Sequence, residues 1–244
     1  MATYRLTIAY DGTDFRGWAK QPGKRTVQDE LEGVLSRLFG EPVGLIVAGR
    51  TDAGVHASAQ VASFSAEKQP PDALMRALNG MTPSDISVRT AEQVEEDFNA
   101  RWAARSRRYR YRVETASVPD PFERDRAFWF PYPLERTALE ACAAAVVGSH
   151  DFTAFTPTDT RHTHFRREIL HASWSQESET ILAFEVEADA FLRSMVRALV
   201  GTMLEVGTGR RVIDDFESLL DGAARAEAGD TAPARGLYLI AVRY

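Results

Sequence analysis

One order of elements reads twice along this chain, and that repeat limits the folds open to it more than any other feature. Residues 4–10 alternate Leu6, Ile8 and Tyr10 and close on Asp11-Gly12, the pattern of a half-buried strand ending in a turn. A helix is expected from Thr26, with Val27, Leu31, Val34, Leu35 and Leu38 at helical spacing and Asp29 completing an approximate capping box. Two strands follow. The first, 43–47, reads as buried; the second carries Val55, Ala57, Ala59, Val61 and Ser63 on one face and ends at Phe64-Ser65. Pro70-Pro71 opens a second helix containing Leu74, Ala77 and Leu78, and a strand over 85–91 alternates Ile86 and Val88.

The order then recurs. A strand at 109–113 leads to a helix at 133–147 stopped by Gly148, then strands at 168–175 and 180–187. An apolar helix follows at 191–206, then a short helix near 213–220 and a closing strand at 237–242. Each half is β-α-β-β-α-β, the ferredoxin-like split unit. The expected fold is therefore α+β, with an N-terminal half at 1–103 and a C-terminal half at 104–244. Their antiparallel and mixed sheets are expected to join into one extended sheet, with helices on one side and a central cleft.

The 244 residues suffice for a substantial core, and 44% hydrophobic with 26% charged is ordinary globular composition. No apolar run approaches the ~20 residues that span a bilayer, so no membrane partner is expected. The chain enters a strand pattern at once, which predicts no signal peptide. Cys142 is the only cysteine, which excludes disulfides within the chain and cysteine-based zinc sites; a cytoplasmic location is expected. The net charge of −6 argues against a polyanionic partner, but its distribution argues the other way. From 101 to 112 the chain holds six arginines and no acid, and Arg161, Arg166 and Arg167 form a smaller basic group. Acids collect at 92–97 and at Asp214, Asp215, Glu217 and Asp221. A basic face on an acidic body is what a nucleic acid reads.

Between the two central strands of the first half lies Gly49-Arg50-Thr51-Asp52-Ala53-Gly54-Val55-His56. Asp52 could simply shape its turn. Arg50 and the second glycine favour a functional carboxylate, since a nearby cation stabilises the charged form. An ionised carboxylate suits a nucleophile or a stabiliser of a cation better than a general acid. On the 109–113 strand Arg108, Arg110 and Arg112 fall on one face and Tyr109 and Tyr111 on the other. Arginines could meet phosphates while an aromatic ring stacks on a base. Arg197, inside the apolar helix, lies either at its polar edge or paired with a carboxylate. No nucleophile elbow, metal-ligand spacing or dinucleotide fingerprint is present, so neither metal nor cofactor is expected. Two rival readings remain at this point: a non-catalytic RNA-binding protein, and a metal-dependent phosphoesterase using Asp11, Asp14 and Asp52.

Taken together these motifs resemble those of the tRNA pseudouridine synthases of the A type, over nearly the whole length. The resemblance is carried by 49–56, by Tyr10-Asp11-Gly12-Thr13 with Phe15-Arg16-Gly17-Trp18, and by Val27-Gln28 and Asp97-Phe98-Asn99-Ala100-Arg101. It continues through Arg107-Arg108-Tyr109-Arg110-Tyr111, the run 190–197, and Gly236-Leu237-Tyr238-Leu239. It implies isomerisation of uridine to pseudouridine at positions 38, 39 and 40 of the tRNA anticodon stem-loop. It also implies no cofactor, and a homodimer with one tRNA lying across both subunits. Asp52 falls on the family's catalytic aspartate, the expected nucleophile. Tyr109 falls on its active-site tyrosine, and Arg197 on the arginine that pairs with the aspartate. Arg50 joins Tyr109 and Arg197 as an expected substrate contact; Arg107, Arg108 and Arg110 are the expected RNA contacts.

Overall fold

The structure, a computed structural model, describes residues 1–160 and 162–244. Arg161, part of the smaller basic group, lies outside the described residues. In chain order the elements begin β1 (Ala2–Tyr10), α1 (Val27–Phe39), β2 (Ile46–Val47), β3 (His56–Ala66), α2 (Pro71–Met81) and β4 (Ile86–Val94). Next come β5 (Ser106–Glu114), β6 (Phe128–Trp129), α3 (Arg136–Ala145), β7 (Gly148–Asp151), β8 (Arg166–Gln176) and β9 (Ile181–Ala188). The chain closes with α4 (Met195–Gly207), α5 (Ile213–Ser218) and β10 (Leu237–Arg243). It divides into two compact units, Met1–Arg107 with Tyr238–Tyr244, and Arg108–Leu237.

In the first unit β1 is the inner strand between β4 and β3, antiparallel to both. Its alternate residues Tyr4, Leu6, Ile8 and Tyr10 are buried, as are Val27, Leu31, Val34 and Leu35 of α1 and Leu74 and Leu78 of α2. Each such leucine contributes about 1.5–3 kcal/mol on burial. The start of α1 is set as the capping pattern predicts: the Thr26 hydroxyl accepts from the Asp29 amide at 3.4 Å. Gly40 ends the helix with φ 74°, a left-handed turn that glycine adopts without strain.

Two strands differ from expectation. β1 occupies one edge of β3, so β2 and β10 must divide the other: β2 pairs at Ala62 and Ser63, and β10 pairs in parallel at His56 and Ala57. The expected strand at 43–47 is reduced to Ile46 and Val47. The Val43 and Leu45 amides donate instead to the Ser36 hydroxyl (3.2 Å) and the Glu32 carboxylate (2.8 Å) of α1. Through the same pairing β10, assigned to the C-terminal half by the expected division at 103 and 104, has residues 238–243 in the first unit.

In the second unit the strand order is β5-β9-β8-β7, and β6 pairs in parallel with β5. The stretches that form β6 and β7, two and four residues long, are too short to show alternation, and the periodicity does not predict them. The apolar helix starts at Met195 rather than 191, because Ser194 takes a left-handed φ of 58° that a helix cannot continue through. The α+β character and the two-part repeat of strands and helices are as expected.

Candidate active site

The loop 49–56 links β2 to β3 and is held from several sides within the first unit. The Gln60 amide donates to the Gly49 carbonyl at 2.7 Å. The Tyr10 and Thr51 hydroxyls lie 2.7 Å apart in the buried interior. Gln60 also reaches the Tyr10 oxygen at 3.4 Å; a side-chain amide N–H only donates, so the phenol proton is directed to Thr51. The Thr51 carbonyl accepts from the Trp18 amide (3.0 Å), the Asp52 carbonyl from Val55 (3.2 Å), and the Gly54 amide donates to the Phe15 carbonyl (3.2 Å). Burial pushes the Tyr10 phenol up to about 12, against the pull of its bonds to Thr51 and Gln60, so it remains a neutral donor.

Every one of these bonds is neutral, and those that reach the loop fall on its backbone or on Thr51. They fix the backbone of the loop; of its two charged side chains Asp52 is half-buried and Arg50 is exposed. Gly17 explains the tightness of the turn's back side. It has φ 90°, and a Cβ there would lie 2.8 Å from the Thr51 carbonyl oxygen and 3.2 Å from the Asp52 carbonyl carbon. Gly12 backs the other end, where a Cβ would overlap the Val55 carbonyl. His56 closes the loop with its Nδ1 accepting from the Gly12 amide at 2.9 Å and its ring stacked on Tyr238, centroids 4.6 Å apart. A carboxylate held on a preorganised loop, rather than on a mobile one, is what transition-state stabilisation requires.

In the second unit β5 keeps its predicted two faces. Tyr109 and Tyr111 are buried, with Tyr109 edge-on to Phe191 at 5.0 Å and the Tyr111 hydroxyl donating to the Pro233 carbonyl at 2.7 Å. Burial raises the Tyr111 phenol, with Arg197 and Arg235 pulling it back. The arginine face carries carboxylates. Arg108 meets Glu187 at 3.1 Å and Glu185 at 3.6 Å, Arg110 meets Glu185 at 2.6 Å, and Arg112 meets Glu123 at 2.6 Å and Glu177 at 2.8 Å. Glu185 and Glu187 alternate on β9, the neighbour of β5, so the two strands form a charge ladder. Arg197 lies in the first turn of α4, where its Nε donates to the Ala232 carbonyl at 2.7 Å and its own carbonyl accepts from the Ala232 amide.

Arg107 stands apart from the other arginines. Its guanidinium, in the first unit, donates to the carbonyls of Ala48 (2.8 Å), Arg101 (3.0 Å) and Ala104 (3.2 Å). It ties the backbone entering the Asp52 loop to the loop after β4. Sequence reasoning missed Tyr10, Gly17 and Gln60 as supports of the site; only their place in the final contacts reveals them. A cavity of about 570 Å³ opens at the 20–25 hairpin, where two of its three cations, Lys20 and Arg25, already meet Asp29, Glu32, Glu30 and Asp85. Among the described residues no three histidine, cysteine or acidic side chains lie where they could hold one metal ion.

Known proteins share this architecture at the level of sequence. Residues 6–103 and 142–244 match the model of a family described as tRNA pseudouridine synthase. Proteins named tRNA pseudouridine synthase A from Acetivibrio thermocellus and Moorella thermoacetica are 40% and 42% identical, over the full length of both chains. One of the same name from Bacillus pumilus is 41% identical over 98% of each chain. Similarity of this extent leaves one assignment: the chain belongs to the tRNA pseudouridine synthase family.

Proposed function

We propose that this chain converts uridine to pseudouridine at positions 38, 39 and 40 of the tRNA anticodon stem-loop. Membership of the family makes it an isomerase acting on uridine in tRNA. The finer reading adds the positions, a cofactor-free reaction, and a cytoplasmic homodimer that holds one tRNA across both copies. The observation that carries it is the half-buried Asp52 on a loop held by neutral bonds to Tyr10, Trp18 and Gln60.

The chemistry needs few groups. The N1–C1′ bond breaks, the uracil turns, and C5 bonds to C1′; the proton leaves C5 and N1 gains one. No water is consumed, so the second carboxylate of a glycosidase has no task. One ionised carboxylate at Asp52 attacks C1′, or removes the 2′ proton to give a glycal. Tyr109 stacks on the freed base and accepts or relays the C5 proton, and Arg50 and Arg197 are further substrate contacts. The target nucleotide must first leave the stack at a cost of a few kcal/mol. Selection rests on shape and backbone, since A-form RNA hides its base edges in a deep groove.

Incubation of unmodified tRNA with the protein, followed by mapping of carbodiimide-resistant adducts by primer extension, tests position and activity together. Stops at 38, 39 and 40 are expected. Stops elsewhere overturn the positions, and their absence overturns the activity.

A further inference from the structure

Trp102 is the most exposed aromatic of the first unit, 75% accessible, on the loop between β4 and β5. Single exposed apolar residues are common on protein surfaces and by themselves mean little. Three observations set this one apart. First, the Arg101 guanidinium lies over the ring, 4.7 Å from its centroid. With one face covered by a cation and the residue still three-quarters accessible, the opposite face of the indole meets solvent.

Second, the loop is tied down on several sides. The Asn99 side chain accepts from the amides of Arg101 (3.0 Å) and Trp102 (3.1 Å), and its carbonyl accepts from Ala103 (3.0 Å). Arg107 holds the Arg101 and Ala104 carbonyls from behind, and the Ala100 amide donates to the Ser63 hydroxyl of β3 at 3.1 Å. Ala100 also packs in one buried cluster with Ala48 and Val61, just ahead of the Asp52 loop. An aromatic ring on a fixed loop loses little entropy when it meets a ligand. Third, the charge around it is one-sided. Arg101 and Arg105 are both exposed, in a run from 98 to 112 without an acid. Unlike Arg108, Arg110 and Arg112, Arg101 is set against a ring, not a carboxylate.

We propose that Trp102 is a stacking platform for an unpaired base of the substrate tRNA, with Arg101 and Arg105 on the phosphates beside that base. Aromatic faces next to arginines bind single-stranded RNA in this way, and the ring accepts any base because every base has a π face. The inference rests on the tRNA reading above and adds a contact on the same unit as Asp52. Trp18 and Trp174 are buried, and Trp129 donates its indole N–H to the Ala116 carbonyl, so Trp102 presents the most open indole of the four.

The test compares wild type, Trp102→Ala, Trp102→Phe and Arg101→Ala for binding to unmodified tRNA as a function of salt, and for pseudouridine formation. Trp102→Ala is expected to raise Kd by about tenfold with its salt slope unchanged, because no charge is lost. Trp102→Phe keeps a ring and is expected within about threefold of wild type; Arg101→Ala lowers the slope by roughly one phosphate contact. Turnover at saturating tRNA should fall less than threefold for Trp102→Ala, a KM effect rather than a kcat effect. Unaltered binding by Trp102→Ala, with wild type active, overturns the platform and leaves the enzymatic reading intact. Equal loss in the Ala and Phe variants overturns it too, as does a changed sedimentation coefficient, which would make Trp102 a contact between copies. A wild-type protein that forms no pseudouridine removes both.

Discussion

The Asp52 loop and the arginine face of β5 look alike as sequence: both place charge beside residues of catalytic type. The structure treats them in opposite ways. At 49–56 neutral bonds from Tyr10, Trp18 and Gln60 to Thr51 and to backbone carbonyls hold the loop. On β5 the charges are the scaffold: Arg108, Arg110 and Arg112 close a ladder with Glu123, Glu177, Glu185 and Glu187. A single carboxylate on a loop fixed by neutral bonds is suited to chemistry. A row of cations opposite a row of anions is already satisfied, and a phosphate must compete for it.

The contrast can be broken at either end. The largest effect is expected from Gly17→Ala, which sets a methyl 2.8 Å from the Thr51 carbonyl at a φ of 90° and displaces the turn bearing Asp52. Turnover should fall about 100-fold while tRNA affinity stays within about threefold, since a misplacement near 1 Å has that cost. A Gly17→Ala enzyme with wild-type turnover would show that the loop's placement is not critical.

Next is Tyr10→Phe, which strands the buried Thr51 hydroxyl and should lower stability by about 1–3 kcal/mol in urea unfolding. Its pH signature has a definite sign. The folded phenol titrates at about 12 and an unfolded tyrosine near ~10, so the native state holds the proton longer. That contribution is complete below pH ~10 and is lost as pH rises toward 12. Wild type should therefore lose stability across that window more steeply than Tyr10→Phe. Equal steepness would place the titration elsewhere.

The smallest effect is expected from Arg110→Ala. A partly exposed ion pair contributes about 0–1 kcal/mol, and a guanidinium already paired to Glu185 releases few counterions on tRNA binding. The salt slope should stay within a few tenths of wild type, whereas Arg101→Ala changes it by nearly a whole contact. A full unit lost in Arg110→Ala would mean that RNA displaces Glu185, and would remove the distinction between the two regions.

Much of this arrangement was legible from the chain. The helix start at Thr26, the split β-α-β-β-α-β order and the separation of Arg and Tyr faces on β5 are local properties of period and capping. What escaped depends on partners distant in sequence. The strand at 43–47 gives two of its amides to Ser36 and Glu32 of α1, and β10 reaches β3 from the far end of the chain. The alternation of Glu185 and Glu187 was visible, but its meaning required knowing that β9 lies beside β5. Gly17 and Gln60 carry no local sign of touching the Asp52 loop. Ser194 breaks an otherwise continuous apolar pattern with one backbone angle, which periodicity does not record.

Release of tritium from tRNA carrying 5-tritiated uridine tests the central claim most directly, because each C5–C1′ bond formed expels the C5 hydrogen. Wild type should release tritium with turnover. Asp52→Asn, isosteric but unable to act as an anion, should bind the same tRNA within about threefold and release tritium at least ~1,000-fold more slowly. Release by Asp52→Asn at a rate near that of wild type would contradict the assignment of the chemistry to this carboxylate.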